Sequence, residues 1–375
     1  MRSRLTTFVA IIATSALLVA CTKDEPTSQS DSQRPHDPGT ITATTQSLSP
    51  TKDATVRVTA TIAHGLEVPW GLAFLPDGSA LVSQRNQGTI SSIDHGVVTE
   101  VGQIPETAPT SEGGLLGLAV SPEFATDQKV FAYVTTNEDN RVLSMAYDGH
   151  TISKVTPILT GIPFGSIHDG GRLAFGPDGY LYVSTGETGN GDLAADRGSL
   201  GGKILRITAE GKPAPGNPDS RSPVWTFGHR NIQGLAFDDH DRLWASEFGS
   251  DVWDEVNRVE RGNNYGWPAA EGDANLKGLT DPLVQWRPED ASPSGLAFAN
   301  GALWTAGLRG ERLWEIPVES NGTLGQPLAH FVGKYGRLRT VVAAPDGSLW
   351  LTTSNRDGRG FPAAGDDRIF RVSID

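Results

Sequence analysis

The chain has 375 residues and a formal net charge of −13, with 44 Asp plus Glu against 31 Lys plus Arg. That balance argues against nucleic acid as a partner, since phosphate contacts demand a basic face, and one cysteine excludes a disulfide framework and a thiolate zinc site. The length suffices to bury a core without covalent staples, in one large β domain or two ordinary ones.

Met1-Arg2-Ser3-Arg4, followed by the apolar run from Phe8 to Val19, has the charge and length of a secretory leader and is short for a membrane span. It closes on Leu18-Val19-Ala20-Cys21, which resembles the bacterial lipobox. Residues 1–21 are therefore expected to be a lipoprotein signal, with Cys21 lipidated and the protein exported and tethered to the outer face of the cell membrane; a chance cysteine in a cleaved leader is the alternative. Residues 22–55 are rich in Ser, Thr, Pro, Asp and Gln and almost devoid of apolar side chains, so no segment there offsets its own ordering entropy. They read as a flexible linker.

From residue 56 to the end one phrase recurs. It is first written Gly71-Leu72-Ala73-Phe74-Leu75-Pro76-Asp77-Gly78, then Gly117-Leu118-Ala119-Val120, Arg172-Leu173-Ala174-Phe175-Gly176-Pro177-Asp178-Gly179, Gly234-Leu235-Ala236-Phe237, Gly295-Leu296-Ala297-Phe298 and Val341-Val342-Ala343-Ala344-Pro345-Asp346-Gly347. Pro-Asp-Gly supplies a preset φ and then a residue that tolerates φ > 0, the needs of a tight strand connection. Second strands follow each turn, such as Leu181-Tyr182-Val183-Ser184 and Leu349-Trp350-Leu351-Thr352, and third strands follow those, such as Glu255-Val256-Asn257-Arg258-Val259. Convincing helical periodicity is hard to find, and repeats of about 45 to 60 residues with several strands each predict an all-β, six-bladed β-propeller with four-stranded antiparallel blades over residues 56–375. Val56 to Ile62 precedes the first full copy and is placed to complete the last blade, closing the ring and removing its exposed edges. Spacing is longest across residues 172–295, which puts extra loop length on the third and fourth blades, where binding usually lives.

Equivalent positions in a radial array point at one place, so the non-repeating residues before each copy are candidates for a shared site. Ser166-Ile167-His168-Asp169-Gly170-Gly171 prefaces the third copy: glycines admit a ligand close to the backbone, and a neutral imidazole suits proton acceptance near neutral pH. His168 is the candidate general base, a structural histidine being the alternative. Glu187, in Ser184-Thr185-Gly186-Glu187 at the end of the strand leaving that hairpin, is a candidate to orient it, or else a surface glutamate. The fourth preface holds Arg230 and Asn231, and the sixth Arg337 and Arg339, whose i, i+2 spacing on a strand puts two like charges on one face, which is destabilising unless an anion lies between them. Arg309 at the end of a fifth-blade strand adds a further cation. The arginines suggest a polyanionic ligand, with a solvated basic face as the plain alternative. Glu247-Phe248-Gly249-Ser250-Asp251-Val252-Trp253-Asp254-Glu255 and Gly262-Asn263-Asn264-Tyr265-Gly266-Trp267-Pro268 offer carboxylates, amides and carbonyls, the hard donors calcium prefers, although capped turns use the same residues.

These segments together resemble the glucose/sorbosone dehydrogenase family, soluble quinoproteins that use pyrroloquinoline quinone (PQQ), and most closely its bacterial aldose sugar dehydrogenase branch. The resemblance runs from Leu66 to Val372 and is carried by Pro69-Trp70-Gly71-Leu72-Ala73-Phe74, Gly113-Gly114-Leu115-Leu116-Gly117, His168-Asp169-Gly170-Gly171-Arg172-Leu173, Gly228-His229-Arg230-Asn231, Asp254-Glu255-Val256-Asn257 with Asn264-Tyr265-Gly266-Trp267-Pro268, and Arg337-Leu338-Arg339. It implies oxidation of an aldose to a lactone, with His168 taking the hydroxyl proton as hydride leaves the anomeric carbon, Glu187 as its acidic partner, and electrons passing to an envelope acceptor. Arg230 would stabilise charge on the quinone, and Asn231, Arg309, Arg337 and Arg339 would hold its carboxylates and carbonyls. Calcium would bind the carbonyls of Gly249 and Ser250, and a second, structural calcium would fall near Glu255 and Tyr265. Three positions depart from the family pattern: Glu112 stands where many members have glutamine, so a carboxylate there either repels an anionic cofactor or faces elsewhere; Arg309 replaces lysine; Ser250 replaces proline. The competing readings are a calcium-dependent lactonase, which would need axial carboxylate ligands, and a non-catalytic propeller that binds sugar or protein.

Overall fold

The computed structural model describes residues 55–374; the expected leader, Cys21 and all but the last residue of the expected linker lie outside the described residues. Strands dominate, and the only helices among the described residues are the single turns Phe124–Asp127 and Asp192–Ala195. No helix among the described residues is long and apolar enough to cross a membrane.

The strands form six separate four-stranded antiparallel sheets, each built from consecutive strands except one. That one is the sixth blade, in which Val56–His64 pairs antiparallel with the last strand, Arg368–Ile374, so that Val56 lies opposite Ile374. The segment expected to close the ring does so.

Each inner strand lies against the next, and the contact explains the glycine of the repeated phrase. A Cβ at Gly71 would meet backbone atoms of Leu116 and Leu118; at Gly234, those of Ser294; at Gly295, those of Thr340 and Val341. At these three positions the neighbouring backbone lies too close for any side chain. In the third and sixth blades the same place in the phrase is taken by Arg172 and Thr340, and the two are joined, Arg172 Nη2 donating to Thr340 Oγ1 at 3.2 Å.

Register shifts interrupt the inner pairings between Pro69 and Leu72, Leu115 and Leu118, Ile232 and Gly234, Pro293 and Leu296, and Leu338 and Val341. Bulges re-aim side chains at strand ends. Here they fall where the prefaces meet the strands, and they bring Trp70, Gln233, Ser294 and Arg339 together: Ser294 Oγ donates to Gln233 Oε1 at 2.8 Å, Arg339 Nη1 does so at 3.3 Å, and Arg172 and Arg339 lie 4.3 and 6.0 Å from the Trp70 ring. The extra loop length expected on blades 3 and 4 is present as the connections between Ser184 and Lys203 and between Val259 and Val284.

Candidate active site

His168 adopts φ +58, a left-handed conformation costly for a residue with a Cβ. Its ring is fixed by Glu187, with Nδ1 and Oε1 2.5 Å apart and the Glu187 side chain only 2 % exposed. A carboxylate on Nδ1 keeps the proton there and leaves Nε2 as the nitrogen able to take another. The strand end carrying Glu187 is wedged between the third and fourth prefaces: Gly186 bridges to Asn231, the Glu187 N–H donates to the Arg230 carbonyl at 2.9 Å, and the Thr188 N–H donates to the His168 carbonyl at 3.2 Å. No side chain fits at Gly186, whose Cβ would strike the His168 carbonyl.

Asn231 Oδ1 accepts the Gly170 N–H at 3.1 Å, while its Nδ2 is buried without a partner. Glu187 Oε2 and Arg230 Nε are likewise buried and unpartnered. Buried polar atoms are satisfied in the great majority of cases, so this group of donors and acceptors at the ends of blades 3 and 4 is a place where a polar ligand belongs. Arg230 packs against the Trp267 ring, at 5.4 Å, and its Nη1 donates to the Gly249 carbonyl.

Arg337 and Arg339 share an anion from within the chain. Asp357 accepts Arg337 Nε at 2.9 and 3.1 Å and lies 3.3 Å from Arg339 Nη2. That single carboxylate does not offset the surrounding charge: burial pushes the guanidinium groups of Arg172 and Arg339 down to about 9, with their mutual repulsion adding for Arg172. Burial also lowers Arg85, whose Nη2 reaches the Asp357 carbonyl. Arginine stays charged regardless, so the mouth is short of negative charge and suited to an anionic ligand. Arg309 stands apart, exposed and without a hydrogen bond or ion pair to the described residues, on the turn between two fifth-blade strands.

Glu112 faces the mouth and is compensated there. Oε1 accepts Arg359 Nη1 at 2.7 Å and Oε2 accepts the His168 N–H at 2.9 Å.

The oxygen donors of the fourth blade fall into two groups. Gly249 and Ser250 form a loop held by carboxylates: Gly249 N–H donates to Asp254 at 3.0 Å, and Glu271 Oε1 accepts the N–H groups of Ser250, Val252 and Trp253 at 2.7 to 2.9 Å. The Gly249 carbonyl points at Arg230, so a cation binding it displaces that guanidinium. Glu255 is buried, and burial together with neighbouring Glu247 pushes its carboxyl up to about 8; it accepts the Gly272 N–H at 2.7 Å and Asn257 Nδ2 at 3.0 Å. Glu247 already accepts from His229 Nδ1 at 2.8 Å and from the Arg230 N–H, so Glu255 is the carboxylate of this pair left to meet a cation. The Tyr265 hydroxyl is committed elsewhere, donating to the Arg258 carbonyl and accepting the Glu260 N–H, while its ring stacks on His229 at 4.5 Å.

Sequence reasoning missed Arg85, Arg172, Gln233, Asp357 and Arg359. Arg172 and Gln233 lie in the prefaces the repeat already marked, whereas Arg85, Asp357 and Arg359 lie, with Glu187, Gly249 and Arg309, in loops between second and third strands that open on the same end. A cleft of about 500 Å3 between blades 1 and 6 is lined by Asp77, Gly78 and Asp346 of the Pro-Asp-Gly turns at the other end of the strands.

A sequence profile described as Glucose / Sorbosone dehydrogenase matches residues 66–362. The PQQ-bound aldose sugar dehydrogenase of Streptomyces coelicolor is 52 % identical, with a TM-score of 0.84 over 87 % of this chain and 100 % of that one. Aldose sugar dehydrogenase YliI of Escherichia coli is 28 % identical over 78 % of this chain and 89 % of its own. Quinoprotein glucose dehydrogenase B of Acinetobacter calcoaceticus is 31 % identical over 64 % of this chain and 54 % of its own.

Proposed function

The chain belongs to the glucose/sorbosone dehydrogenase family, and from that premise we propose that it is a PQQ- and calcium-dependent aldose dehydrogenase in which His168 is the general base. The observation that carries the reading is the His168–Glu187 pair set beside the unpartnered donors of Arg230 and Asn231 in a cation-rich mouth.

When bound, the quinone supplies the hydride acceptor and calcium a Lewis acid. Arg337, Arg339, Arg172 and Arg85 are the residues that would hold the quinone's carboxylates, and the Asn231 amide its carbonyl oxygens. His168 Nε2 would take the proton of the anomeric hydroxyl, and the buried Glu187 carboxylate would stabilise the resulting imidazolium without leaving Nδ1. Arg230 would face the developing negative charge, and the carbonyls of Gly249 and Ser250 would hold the metal. Arg309 is exposed on the same end of the strands, free to reach a ligand from outside the mouth. A second, structural calcium would be held by Glu255 with the backbone near Tyr265.

The leader and the Leu-Val-Ala-Cys segment support export and a lipid anchor at Cys21, with an envelope electron acceptor. The test is reconstitution of the purified chain with PQQ and calcium, followed by dye reduction with a panel of aldoses. Turnover is expected only with both additions, and His168→Ala is expected to lower kcat by about 100-fold or more. Absence of quinone-dependent turnover, or full turnover in the variant, refutes the reading.

A further inference from the structure

Glu112 is a partly buried carboxylate, its side chain 13 % exposed, that the mechanism above does not use. It lies in the loop before the inner strand of blade 2 and touches two other blades. Its own N–H donates to the Ser166 carbonyl at 3.2 Å, its Oε2 accepts the His168 N–H, and its Oε1 accepts Arg359, 247 positions away.

The backbone at His168 needs such holds. Its left-handed φ is strained for a residue with a Cβ and is favoured by contacts on either side of it. Three groups restrain it: Glu187 on the ring, the Thr188 N–H on the carbonyl, and Glu112 on the N–H. The first two belong to blade 3 itself. Glu112 is the restraint from outside, and through Arg359 it is anchored to blade 6.

The carboxylate is kept charged in this position. Burial alone raises the Glu112 carboxyl, but the His168 N–H and Arg359 outweigh it and hold it below the usual carboxylate range. Pairing with Arg359 also removes the conflict between a carboxylate and an anionic ligand in the mouth. A neutral acceptor at this position would hold the same N–H but would not bind Arg359 as an ion pair.

We propose that Glu112 is a positioning residue: one carboxylate oxygen fixes the left-handed backbone at His168, the other is neutralised by Arg359, and the pair keeps the base in register from the neighbouring blades. The proposal rests on the reading of His168 as base. A misplaced base costs turnover rather than substrate affinity, and a displacement near 1 Å costs on the order of 100-fold.

Two measurements test it. In the full chain reconstituted with PQQ and calcium, Glu112→Ala is expected to lower kcat by about 10- to 100-fold, leaving the aldose KM and the PQQ dissociation constant, read by absorbance titration, within about threefold of the parent. Glu112→Gln, whose amide oxygen can accept the same N–H but which loses the ion pair with Arg359, is expected to give a kcat between that of Glu112→Ala and the parent. Parental kcat in Glu112→Ala, a defect confined to PQQ binding, or glutamine no better than alanine overturns the proposal. The second measurement needs no activity: amide hydrogen exchange of residues 166–172, by mass spectrometry on the full chain. Exchange should quicken in Glu112→Ala and to a smaller extent in Glu112→Gln, with other segments unchanged. Unchanged exchange in Glu112→Ala overturns the hold, whereas a parental protein without quinone-dependent turnover refutes the assignment of function and leaves the exchange result to decide Glu112.

Discussion

His168 and Asp169 are neighbours in the chain with opposite surroundings. The imidazole has its charge partner in Glu187, but Asp169 turns inward, where Oδ1 accepts Asn140 and the Gly165 N–H and Oδ2 is buried without a partner. Burial pushes the Asp169 carboxyl up to about 6. A carboxyl raised in the folded state binds its proton more tightly folded than unfolded, so its contribution to stability falls as pH rises from about 4 to about 6 and stays low above that. Asp169→Asn removes this decline. Relative to the parent, the variant is expected to gain up to about 3 kcal/mol between pH 4 and pH 7 in urea denaturation; a difference independent of pH would refute the argument. The residue scale is also where the chain was most legible for chemistry, because His168, Arg230, Asn231, Arg337 and Arg339 interrupt a repeat and so are visible without coordinates. Asp357 was not visible, since nothing in its spacing from Arg337 says that a loop returns it between two guanidinium groups.

At the scale of elements, the hairpins were readable because the Pro-Asp-Gly turn and the apolar strands on either side of it are local properties of the chain. Bulges and close approaches between inner strands were not, since both depend on which strand lies next door. Gly295 shows the difference: a Cβ there would lie 2.8 Å from Thr340 Cα and Val341 N and 2.9 Å from the Arg339 carbonyl, backbone atoms that cannot rotate aside. Gly295→Ala is expected to cost about 1 to 3 kcal/mol in urea denaturation. Because the strain falls on the strand carrying Arg339, it should also weaken PQQ binding. Unchanged stability would mean that the inner strands slide past one another freely. The loops between second and third strands teach the same lesson, for they supply Arg85, Glu187 and Asp357 to the mouth from elements that carry no repeated signature.

For the whole molecule, stability depends on the first strand meeting the last. Val56–His64 contributes Ala63 to the core and covers the edge of Arg368–Ile374. A chain beginning at Thr55 is expected to unfold at the temperature of the full chain. One beginning at Gly65 should unfold roughly 10 °C lower and self-associate through the edge it exposes. Equal midpoints in differential scanning calorimetry for the two truncations would refute closure as the source of that stability.

The sequence by itself determined the number of blades, the turn that ends each inner strand and the prefaces where chemistry concentrates, because each rests on a pattern a few residues long. Only the tertiary structure decided that Glu112 faces the mouth with Arg359 as its counter-ion, that Arg172 lies over Trp70 on the axis, and that Asp357 separates Arg337 from Arg339. The physical reason is the geometry of a closed ring: it brings residues from non-adjacent blades within a few ångströms at its centre, and Coulomb energy depends on that distance and on burial, neither of which is written in the spacing along the chain.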